Sequence, residues 1–584
     1  MNEVWNLDPI YPGFDSPAFQ DDLAGLKEAV GEFAAWVKKL DSMEPLEGLR
    51  TGTGYLEKLM STGSGLVEYC MLRQAANTLD SEASSCLGQV MAILSAIAGP
   101  RAAYQAWASK LPDLMELVAS DEILKEYTFL YSNIRQESRY LLPGMGEEIM
   151  AKMGLSGGNA WSELQQFLTS TVPVTYRGEQ TNLSVIRNLA YDADPAVRRE
   201  AYEAELACYE RISDSVAFAL NAIKLETLTD CELRGYEGPL DRTLKEAHMS
   251  RATLDAMLGA MDEYLPKFWQ YLKTKGKALG HENGLPWYDL YAPMGTVSDR
   301  YTAESTRDCL VELFTGFDQE LADMVARAFD EAWIDFYPRS GKTGGAFCSE
   351  VTGLKESRIL TNFDGAFTDV VTLAHELGHA FHNQCVQSHR VLNHDYSMPL
   401  AETASTFNEC VIMNAAIKAA KDDGERLALI ESELQDITQV ICDIYSRYRF
   451  ETMVFEKRKE EFLHSSALCG LMTEAQKRSY GDGLDENVMH PYMWVCKSHY
   501  YGPTFYNFPY AFGALFARGL YAQYEREGAA FVPKYKKLLY TTTVATAEDT
   551  AKVAGIDLTD REFWRSALQM VADRIDEFCR IVEK

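Results

Sequence analysis

Apolar side chains recur every three or four residues along most of this chain of 584 residues. Such spacing places them on one face of an α-helix. It runs through residues 18–40, 431–463 and 561–584. The first of these stretches carries the stripe Phe19, Leu23, Leu26, Val30, Phe33 and Val37. The periodicity predicts a mainly α-helical fold, and a chain of this length can bury a large core and still leave room for an internal channel.

Three stretches interrupt the helical pattern and predict hairpin, extended or sheet structure. Residues 172–186 alternate and turn at Arg177-Gly178, as in a hairpin, and residues 285–295 are aromatic and bounded by proline, as in an extended segment. Residues 336–367 contain paired glycines and two β-favouring runs, GAFCSEV and RILTNF, which predict a small sheet beside the helix that follows. The edge of this sheet either adds an extended peptide as another strand or merely covers the helix, and the pattern leaves both open.

A turn-like Asp-Ala-Asp-Pro sequence at residues 192–195 marks a candidate domain boundary. Large helical enzymes often fuse several units of domain size around one cleft, so a chain of this length need not hold independent domains. We predict an N-terminal helical domain over residues 1–190 and a second domain over residues 191–584.

The charge of the chain restricts its partners. The formal net charge is -30, and a surface this acidic repels phosphate backbones, so we expect no nucleic-acid partner. Two readings of the charge stay open, a solvated acidic surface and a weak preference for basic substrates. Hydrophobic residues make up 47% and charged residues 24%, which is typical of a soluble globular protein.

The N-terminal sequence MNEVWNLDPIYPGFD lacks the basic and apolar segments of a secretory signal. The most apolar stretch, residues 90–99, is too short to span a bilayer and predicts a buried helix. We therefore expect a cytoplasmic protein with no membrane partner, in which the twelve cysteines are reduced thiols. Cys348, Cys385 and Cys410 lie near the candidate site described next, and we predict a packing role for them.

The sequence VVTLAHELGHAFHNQ, residues 370–384, contains His375, Glu376 and His379 in the pattern H-E-x-x-H. Two histidines four residues apart project from one helix face, so their imidazoles can share a tetrahedral Zn²⁺. Glu376 lies about 100° around the helix from His375, where it can act as a base on metal-activated water without being a ligand. The alternative is an ordinary helix with solvated or core histidines.

The helix itself carries two further signals. Thr368 is the predicted cap of its N-terminus, and Asp369 sits favourably against the positive end of the helix dipole. Gly378 costs helix stability, about 1 kcal/mol relative to alanine. Its presence predicts that another element packs closely against that turn.

A catalytic zinc needs a third protein ligand. Ser397 and Pro399 mark the start of a second helix over residues 397–420, and Glu402 lies in its first turns. The 22 residues between His379 and Glu402 are enough to finish one helix, cross a loop and begin the next, so Glu402 is the predicted third ligand of one Zn²⁺. Glu409, two turns further, either orients a ligand or is an ordinary surface glutamate.

Other histidines near this site are weaker candidates for metal ligands. His382 lies seven residues after His375, and His389 and His394 fall in the connecting loop. The spacing H-E-x-x-H-x-x-G-x-x-H is absent because position 382 is histidine and position 385 is cysteine. This departure favours glutamate as the third ligand.

The segments LAHELGHAFH and AETASTFNE resemble the oligoendopeptidase F branch of the thimet oligopeptidase family of zinc metallopeptidases. Four further segments resemble recurring blocks of that branch in the expected order. They are RGYEGPLDRTL (234–244), WYDLYAP (287–293), SGKTGGAFCS (340–349) and HYYGPTFYNFPYAFG (499–513). The resemblance covers roughly residues 180–575, and the N-terminal part matches only in helical character and length.

The resemblance implies a two-lobed helical fold with a deep channel that admits peptides and excludes folded proteins. It implies that His375, His379 and Glu402 bind zinc and that Glu376 is the base, with residues 191–584 as the catalytic domain. In the last block it implies that His499, Tyr506 and Tyr510 bind the substrate carbonyl or the oxyanion.

We therefore predict a zinc-dependent endopeptidase that cleaves internal bonds of short oligopeptides. Two alternatives stay open. A zinc carboxypeptidase or dipeptidase of similar helical shape uses the same ligand pattern, but the sequence identifies no cationic partner for a substrate carboxylate. A peptide-binding module that has lost its metal is the non-enzyme alternative. The sequence leaves the oligomeric state undetermined.

Overall fold

The computed structural model describes residues 3–142, 145–295 and 300–584, and most of these residues are helical. The chain divides into two compact units, each assembled from three segments. Unit 1 comprises Met1–Arg139, Ser298–Ala415 and Gln523–Gly555, and unit 2 comprises Tyr140–Val297, Ala416–Ala522 and Ile556–Lys584. The prediction of a mainly α-helical protein with small sheets is confirmed, while the boundary at residue 190 stays a prediction.

The first segment of unit 1 contains helices and, among its described residues, no strand. Its helices are α1 (Pro17–Val37), α2 (Pro45–Ala76), α3 (Ser81–Ser95), α4 (Ala98–Ser109), α5 (Leu114–Ser120), α6 (Glu122–Glu126) and α7 (Thr128–Glu137). Helix α1 begins where Ser16 accepts a hydrogen bond from the Phe19 N–H, with Pro17 at the first helical position. Its predicted apolar stripe is buried from Phe19 to Phe33, so this helix is confirmed.

The apolar stretch at residues 90–99 differs from its prediction. It spans the end of α3 and the start of α4, and Val90 is its one buried residue. Residues Ser81–Ser109 are long and apolar enough to cross a membrane by length and composition alone, with a mean hydropathy of 1.3. Only 11% of the apolar window in this stretch is buried inside the protein. The buried-helix prediction is wrong because these helices lie at the edge of the unit 1 core, with Ile93, Leu94 and Ile97 only partly covered.

The first segment of unit 2 contains the predicted hairpin. Its elements are α8 (Gly146–Ser156), α9 (Gly158–Thr171), β1 (Val174–Tyr176), β2 (Glu179–Thr181), α10 (Leu183–Asn188), α11 (Pro195–Arg234), α12 (Pro239–Glu246) and α13 (Arg251–Ala278). Strands β1 and β2 are antiparallel and joined by Arg177 (φ 50°) and Gly178 (φ 85°), two left-handed residues as in a tight hairpin turn. The predicted extended segment at residues 285–295 is interrupted: the 3-10 turn Trp287–Asp289 is followed by Leu290 in the right-handed helical region, and Gly295 has φ 79°.

The second segment of unit 1 carries a three-stranded sheet followed by helices. It contains α14 (Ala303–Thr315), α15 (Gln319–Asp330), β3 (Ile334–Asp335), β4 (Phe347–Val351), β5 (Glu356–Leu360), α16 (Phe367–Val386), α17 (Met398–Ala401) and α18 (Thr403–Ala419). Strand β5 lies in the middle, parallel to β3 and antiparallel to β4. The sheet predicted from the two β-favouring runs is confirmed, and β4 forms one of its edges.

The remaining elements complete both units. They are α19 (Asp423–Thr438), α20 (Ile444–Arg458), α21 (Ser465–Tyr480), α22 (Met493–Cys496), α23 (Phe508–Glu527), α24 (Val532–Thr541), α25 (Ala547–Lys552) and α26 (Arg561–Val582). A π-helical turn, Gln439–Asp443, joins α19 to α20, so the long helical run predicted at 431–463 contains one wider turn and ends at Arg458. In unit 2, α26 packs along α13 and buries Trp564, Leu568 and Phe578.

Candidate metal centre

Helix α16 presents the H-E-x-x-H residues from unit 1. It begins at Phe367, and the Asp369 carboxylate reaches back to accept hydrogen bonds from the backbone N–H groups of Asp364, Gly365 and Ala366 at 2.9, 3.0 and 3.1 Å. Thr368 lies inside the first turn. The prediction that Thr368 caps the helix is therefore wrong, and Asp369 provides the cap as well as a charge suited to the helix dipole.

The predicted ligands converge. The His375 and His379 Nε2 atoms are 3.2 Å apart, and Glu402 Oε2 lies 3.3 Å from the first and 3.4 Å from the second. A tetrahedral ion with bonds of about 2.0–2.1 Å to nitrogen and oxygen separates its ligands by roughly 3.3–3.4 Å. The two imidazoles and one carboxylate therefore fit a zinc ion, and they form the one candidate group of metal ligands within the described residues.

Glu402 lies at a break between two helices. Its backbone (φ -88°, ψ 10°) ends α17, and α18 starts at the next residue. The Ser405 hydroxyl donates a hydrogen bond to Glu402 Oε2 at 2.8 Å. The predicted single helix is therefore two helices, and Ser405 helps to fix the carboxylate oxygen that faces both histidines.

Helices α16 and α18 approach each other through their main chains at Gly378. A β-carbon there would lie 2.5 Å from the Ser405 Cα and 2.6 Å from the Ala404 carbonyl oxygen. Close by, the Asn408 amide donates to the Ala374 carbonyl at 3.0 Å. The close packing predicted from this glycine is confirmed, and it brings the start of α18 against the histidine helix.

Glu409 supports a ligand from behind. Its Oε1 atom lies 2.5 Å from Nδ1 of His375, the ring nitrogen that does not face the metal position. A carboxylate on the outer nitrogen fixes the ring orientation and makes the inner nitrogen a stronger ligand. Of the two readings left open for Glu409, the orienting role is the one the geometry supports.

The electrostatics of the ligand group favour a cation. Burial opposes the charged form of His375, but Glu402 and Glu409 outweigh it and raise its pKa to about 10. The pKa of Glu402 lies well below its usual range, because the two histidines outweigh its burial. Surroundings that stabilise a protonated His375 also favour the binding of a divalent cation.

Glu376 is placed as a base. Its side chain is 6% exposed, and among the described residues it makes no hydrogen bond or ion pair. Burial, with additional repulsion from Glu402 and Glu409, raises its pKa against the opposing effect of both histidines. A carboxylate with a raised pKa and no protein partner is suited to accept and return a proton.

A cavity of about 500 Å³ in unit 1 adjoins these groups. Its lining includes Phe347 and Cys348 of the edge strand β4, and Glu350, Asp395 and Tyr396, which sequence spacing did not identify. Burial raises the pKa of the Cys348 thiol, as it raises that of Cys385 to about 12, so both stay protonated at neutral pH. These shifts agree with the predicted packing role.

The other nearby histidines contact protein groups outside the ligand triangle. His382 is fully buried, stacks on Tyr396 with ring centroids 4.3 Å apart, and contacts the Thr542 hydroxyl at 2.8 Å. His389 contacts the Tyr540 carbonyl, and His394 pairs with Glu350 at 3.3 Å. None of the three joins the ligand group formed by the described residues.

Unit 2 contains the second group of predicted site residues. The His499 ring stacks on Tyr506 with centroids 5.5 Å apart, and Tyr510 meets His499 and Tyr506 edge-on at 5.8 and 5.5 Å. The Tyr510 hydroxyl lies 3.5 Å from His499 Nε2. Pro509 sits in the first turn of α23, where proline is tolerated, so it does not disturb Tyr510.

The environment of His499 keeps its ring neutral. Burial, together with the cations Arg447 and Lys497, lowers its pKa to about 4 against the opposing charge of Asp443. The loop that follows His499 and leads into α23 is anchored by buried Glu451, which accepts hydrogen bonds from the Phe505 N–H and from the Asn507 amide. At neutral pH this group therefore presents an uncharged imidazole and two phenols.

Comparison with known proteins places the chain among peptidases. Residues 188–570 match peptidase family M3, and residues 112–172 match a domain described as oligopeptidase F. Oligopeptidase PepF of Bacillus subtilis (strain 168) is 24% identical, across 100% of this chain and 88% of that protein. An oligoendopeptidase F homolog of Lactococcus lactis subsp. lactis (strain IL1403) is 25% identical, across 79% and 78%. The structure of oligoendopeptidase F from Enterococcus faecium shares the fold, with a TM-score of 0.72 at 18% identity over 97% of this chain and 99% of that chain.

Proposed function

Because this chain belongs to peptidase family M3, we propose that it is a zinc-dependent endopeptidase that hydrolyses internal bonds of short oligopeptides. The resemblance predicted from the sequence motifs is confirmed, and metallopeptidase activity follows from the family. The observation that carries the finer proposal is the triangle of His375, His379 and Glu402, whose edges of 3.2, 3.3 and 3.4 Å suit a zinc ion.

The three ligands would hold the ion, and Glu409 would orient His375. A bound zinc ion supplies Lewis acidity, which lowers the pKa of water and polarises a substrate carbonyl. Nitrogen and oxygen donors in this number leave room for water or substrate, as at other catalytic zinc sites. No serine or cysteine nucleophile is needed.

Glu376 would perform the proton transfers. Its carboxylate accepts a proton from the attacking water and then delivers it to the departing amine. The raised pKa supports this role, because a carboxyl whose pKa is shifted towards neutral pH is a stronger base for the water proton and can still act as the acid for the departing amine. Its lack of a hydrogen-bond partner among the described residues leaves both oxygens available.

One feature of the metal cavity supports an extended peptide as the substrate. Phe347 and Cys348 belong to edge strand β4 and line the metal cavity, so a peptide can pair with this strand through its main chain. We also propose that His499, Tyr506 and Tyr510 donate hydrogen bonds to the substrate carbonyl or to its oxyanion. The restriction to short peptides rests on the resemblance and on the names of the relatives, and the cytoplasmic location stays a prediction.

The metal cavity does not favour the carboxypeptidase alternative. Its lining is acidic, with Glu350 and Asp395 beside the ligand and base residues. Acidic groups repel the free carboxylate that a carboxypeptidase must recognise. Internal bonds are therefore the better substrate.

The test is mass spectrometry of a mixed peptide library after digestion by the purified protein. Matched samples contain no additive, a chelator, or a chelator followed by excess Zn²⁺. We expect cleavage of internal bonds in peptides with free or blocked termini, loss with chelator and recovery with zinc. Removal of single C-terminal residues from free peptides alone would support the carboxypeptidase, and cleavage that persists in the chelator would contradict a metal mechanism.

A further inference from the structure

Unit 2 encloses a second polar cavity, of about 300 Å³, that the proposed chemistry does not use. Small-molecule sites usually measure about 300–1,000 Å³, so this cavity is at the small end. Helices α10 and α11, the Trp287–Asp289 turn and the loop before α22 form its walls. Its aromatic lining is Tyr191, Tyr202, Trp287, Tyr288 and Tyr291.

The walls of this cavity are fixed by buried contacts. Arg198, 3% exposed, donates to Asp289 at 2.8 Å and holds the aromatic turn against α11. Asp289 also contacts His281 at 2.7 Å. The Tyr202 hydroxyl also donates to the Met489 carbonyl, and the Gln476 amide donates to the His490 carbonyl. The cavity is thus a built feature of unit 2.

One residue of the lining has unused hydrogen-bonding capacity. The His490 side chain is 1% exposed, yet neither ring nitrogen has a hydrogen-bond partner among the described residues. A buried polar group without a partner costs about 1–3 kcal/mol. Glu205 Oε1 lies 3.6 Å from Nε2, which is just beyond hydrogen-bond range. A ligand in the cavity would satisfy this ring.

Two opposite charges also face the cavity. The hydrogen bond from Tyr209 and the ion-pair contacts with Arg187 and His490 are all made to Glu205 Oε1, and Oε2 accepts no hydrogen bond from the described part of the chain. Burial raises the pKa of Glu205, but His490, Arg187 and Tyr209 outweigh it and leave it below its usual value, so the carboxylate is charged. The Arg187 guanidinium meets Glu205 only at 3.4 Å through Nε, and its side chain is 40% exposed.

The opposite charges of Arg187 and Glu205 disfavour a ligand with a single charge. An anion attracted by Arg187 would be repelled by Glu205, and a cation attracted by Glu205 would be repelled by Arg187. A ligand that carries both charges satisfies each. We propose that this cavity binds a free α-amino acid with an apolar side chain, its carboxylate on Arg187 and its ammonium on Glu205.

The spacing of the two charges favours one amino acid over a peptide. Arg187 and Glu205 are in direct ion contact at 3.4 Å, so the groups they bind must also be close together. The ammonium and carboxylate of an amino acid flank a single carbon. Each further residue adds about 3.3–3.6 Å of extended chain between the termini. The aromatic rings of the lining then take the side chain, and the His490 ring gains a partner.

Hydrolysis of peptides to their constituents is the class of reaction that supplies this ligand. The binding itself does not rest on the proposed endopeptidase function. The ligand residues of the metal centre belong to unit 1 and those of this cavity to unit 2. A protein without peptidase activity would still bind the amino acid.

The test is isothermal titration calorimetry of the chelator-treated full-length protein, so that binding to a metal does not contribute. The probes are L-phenylalanine, phenethylamine, which lacks the carboxylate, and 3-phenylpropanoate, which lacks the ammonium. We expect L-phenylalanine to bind at least tenfold more tightly than either analogue. Absence of binding, or equal affinity for an analogue that carries one charge, would overturn the proposal.

Three variants locate the binding. Glu205→Gln and Arg187→Gln should each weaken L-phenylalanine binding at least tenfold, and Ala190→Leu should block it while keeping every charge. The matched control is Glu203→Gln, which removes an exposed charge from the same helix. A thermal melt of each free variant shows whether it folds. Unchanged affinity in Ala190→Leu together with either charge variant would refute the assigned site.

Discussion

His375 in unit 1 and His499 in unit 2 are both partly buried, and their surroundings shift the pKa values of the two imidazoles in opposite directions. Carboxylates of Glu402 and Glu409 outweigh burial and raise the pKa of His375 to about 10. Burial and the cations Arg447 and Lys497 lower that of His499 to about 4. The first environment is prepared to hold positive charge, which a metal ion can supply, and the second is prepared to stay neutral.

The contrast assigns different chemistry to the two groups. A site rich in carboxylates is suited to bind a metal ion and to transfer protons, because the carboxylates stabilise either kind of positive charge. A neutral imidazole with two phenols offers hydrogen bonds without attracting ions, which suits the stabilisation of a polar substrate group. Each of the following experiments would break or sharpen this division.

The largest expected effect concerns Glu376, the proposed base beside the metal ligands. Glu376→Gln should lower kcat about 10²- to 10⁴-fold, because an amide cannot accept the proton of the attacking water. The metal content should be unchanged, since Glu376 is not in the ligand triangle. The measurements are turnover of an internally quenched peptide and metal analysis, with exposed Glu312→Gln as control. Turnover like that of the parent protein would remove Glu376 from its assigned role.

The next effect tests the neutral group. Tyr510→Phe should lower kcat about 10²-fold, as loss of one donor to an oxyanion does, and should leave the bound metal in place. Tyr506→Phe is the matched variant, because it removes the neighbouring phenol of the same cluster. Steady-state kinetics of both would identify which tyrosine acts on the substrate. If both retain parental kcat, the predicted role of this cluster in the reaction is wrong.

A smaller effect is expected for Glu409, which contacts the metal ligand His375 from the side away from the ion. Glu409→Gln should weaken zinc binding about 10- to 100-fold, because the 2.5 Å contact with His375 Nδ1 loses its charge. Competition against a chromophoric chelator measures the affinity, with Glu312→Gln again as control. An unchanged affinity would return Glu409 to the status of an ordinary surface residue.

The smallest effect concerns acid stability. The folded-state pKa of His499 is below the unfolded value of about 6.5, so the unfolded chain binds more protons between pH 6.5 and 4. Stability is therefore complete above pH 6.5 and falls as the pH drops towards 4. His499→Gln should reduce this fall in Tm across that window, in thermal melts recorded from pH 4 to 7. Identical pH profiles would show that the ring is not held neutral.

Local spacing was enough to predict the parts of the metal centre that lie on one element. His375 and His379 share a face because they are four residues apart, and the cost of Gly378 to the helix indicates a close neighbour at that turn. The break at Glu402 was not predicted, because it depends on packing between helices distant in the chain. For the same reason the sequence carries no pattern that predicts the exposure of residues 90–99 or the proximity of His490 to Glu205.

Gly378 has a consequence for how the molecule tolerates change. With main chain against main chain at this crossing, the gap between the histidine helix and the glutamate helix is set by atoms that every substitution elsewhere leaves in place. One added methyl group at residue 378 would push the two helices apart and weaken metal binding, although no ligand had been altered.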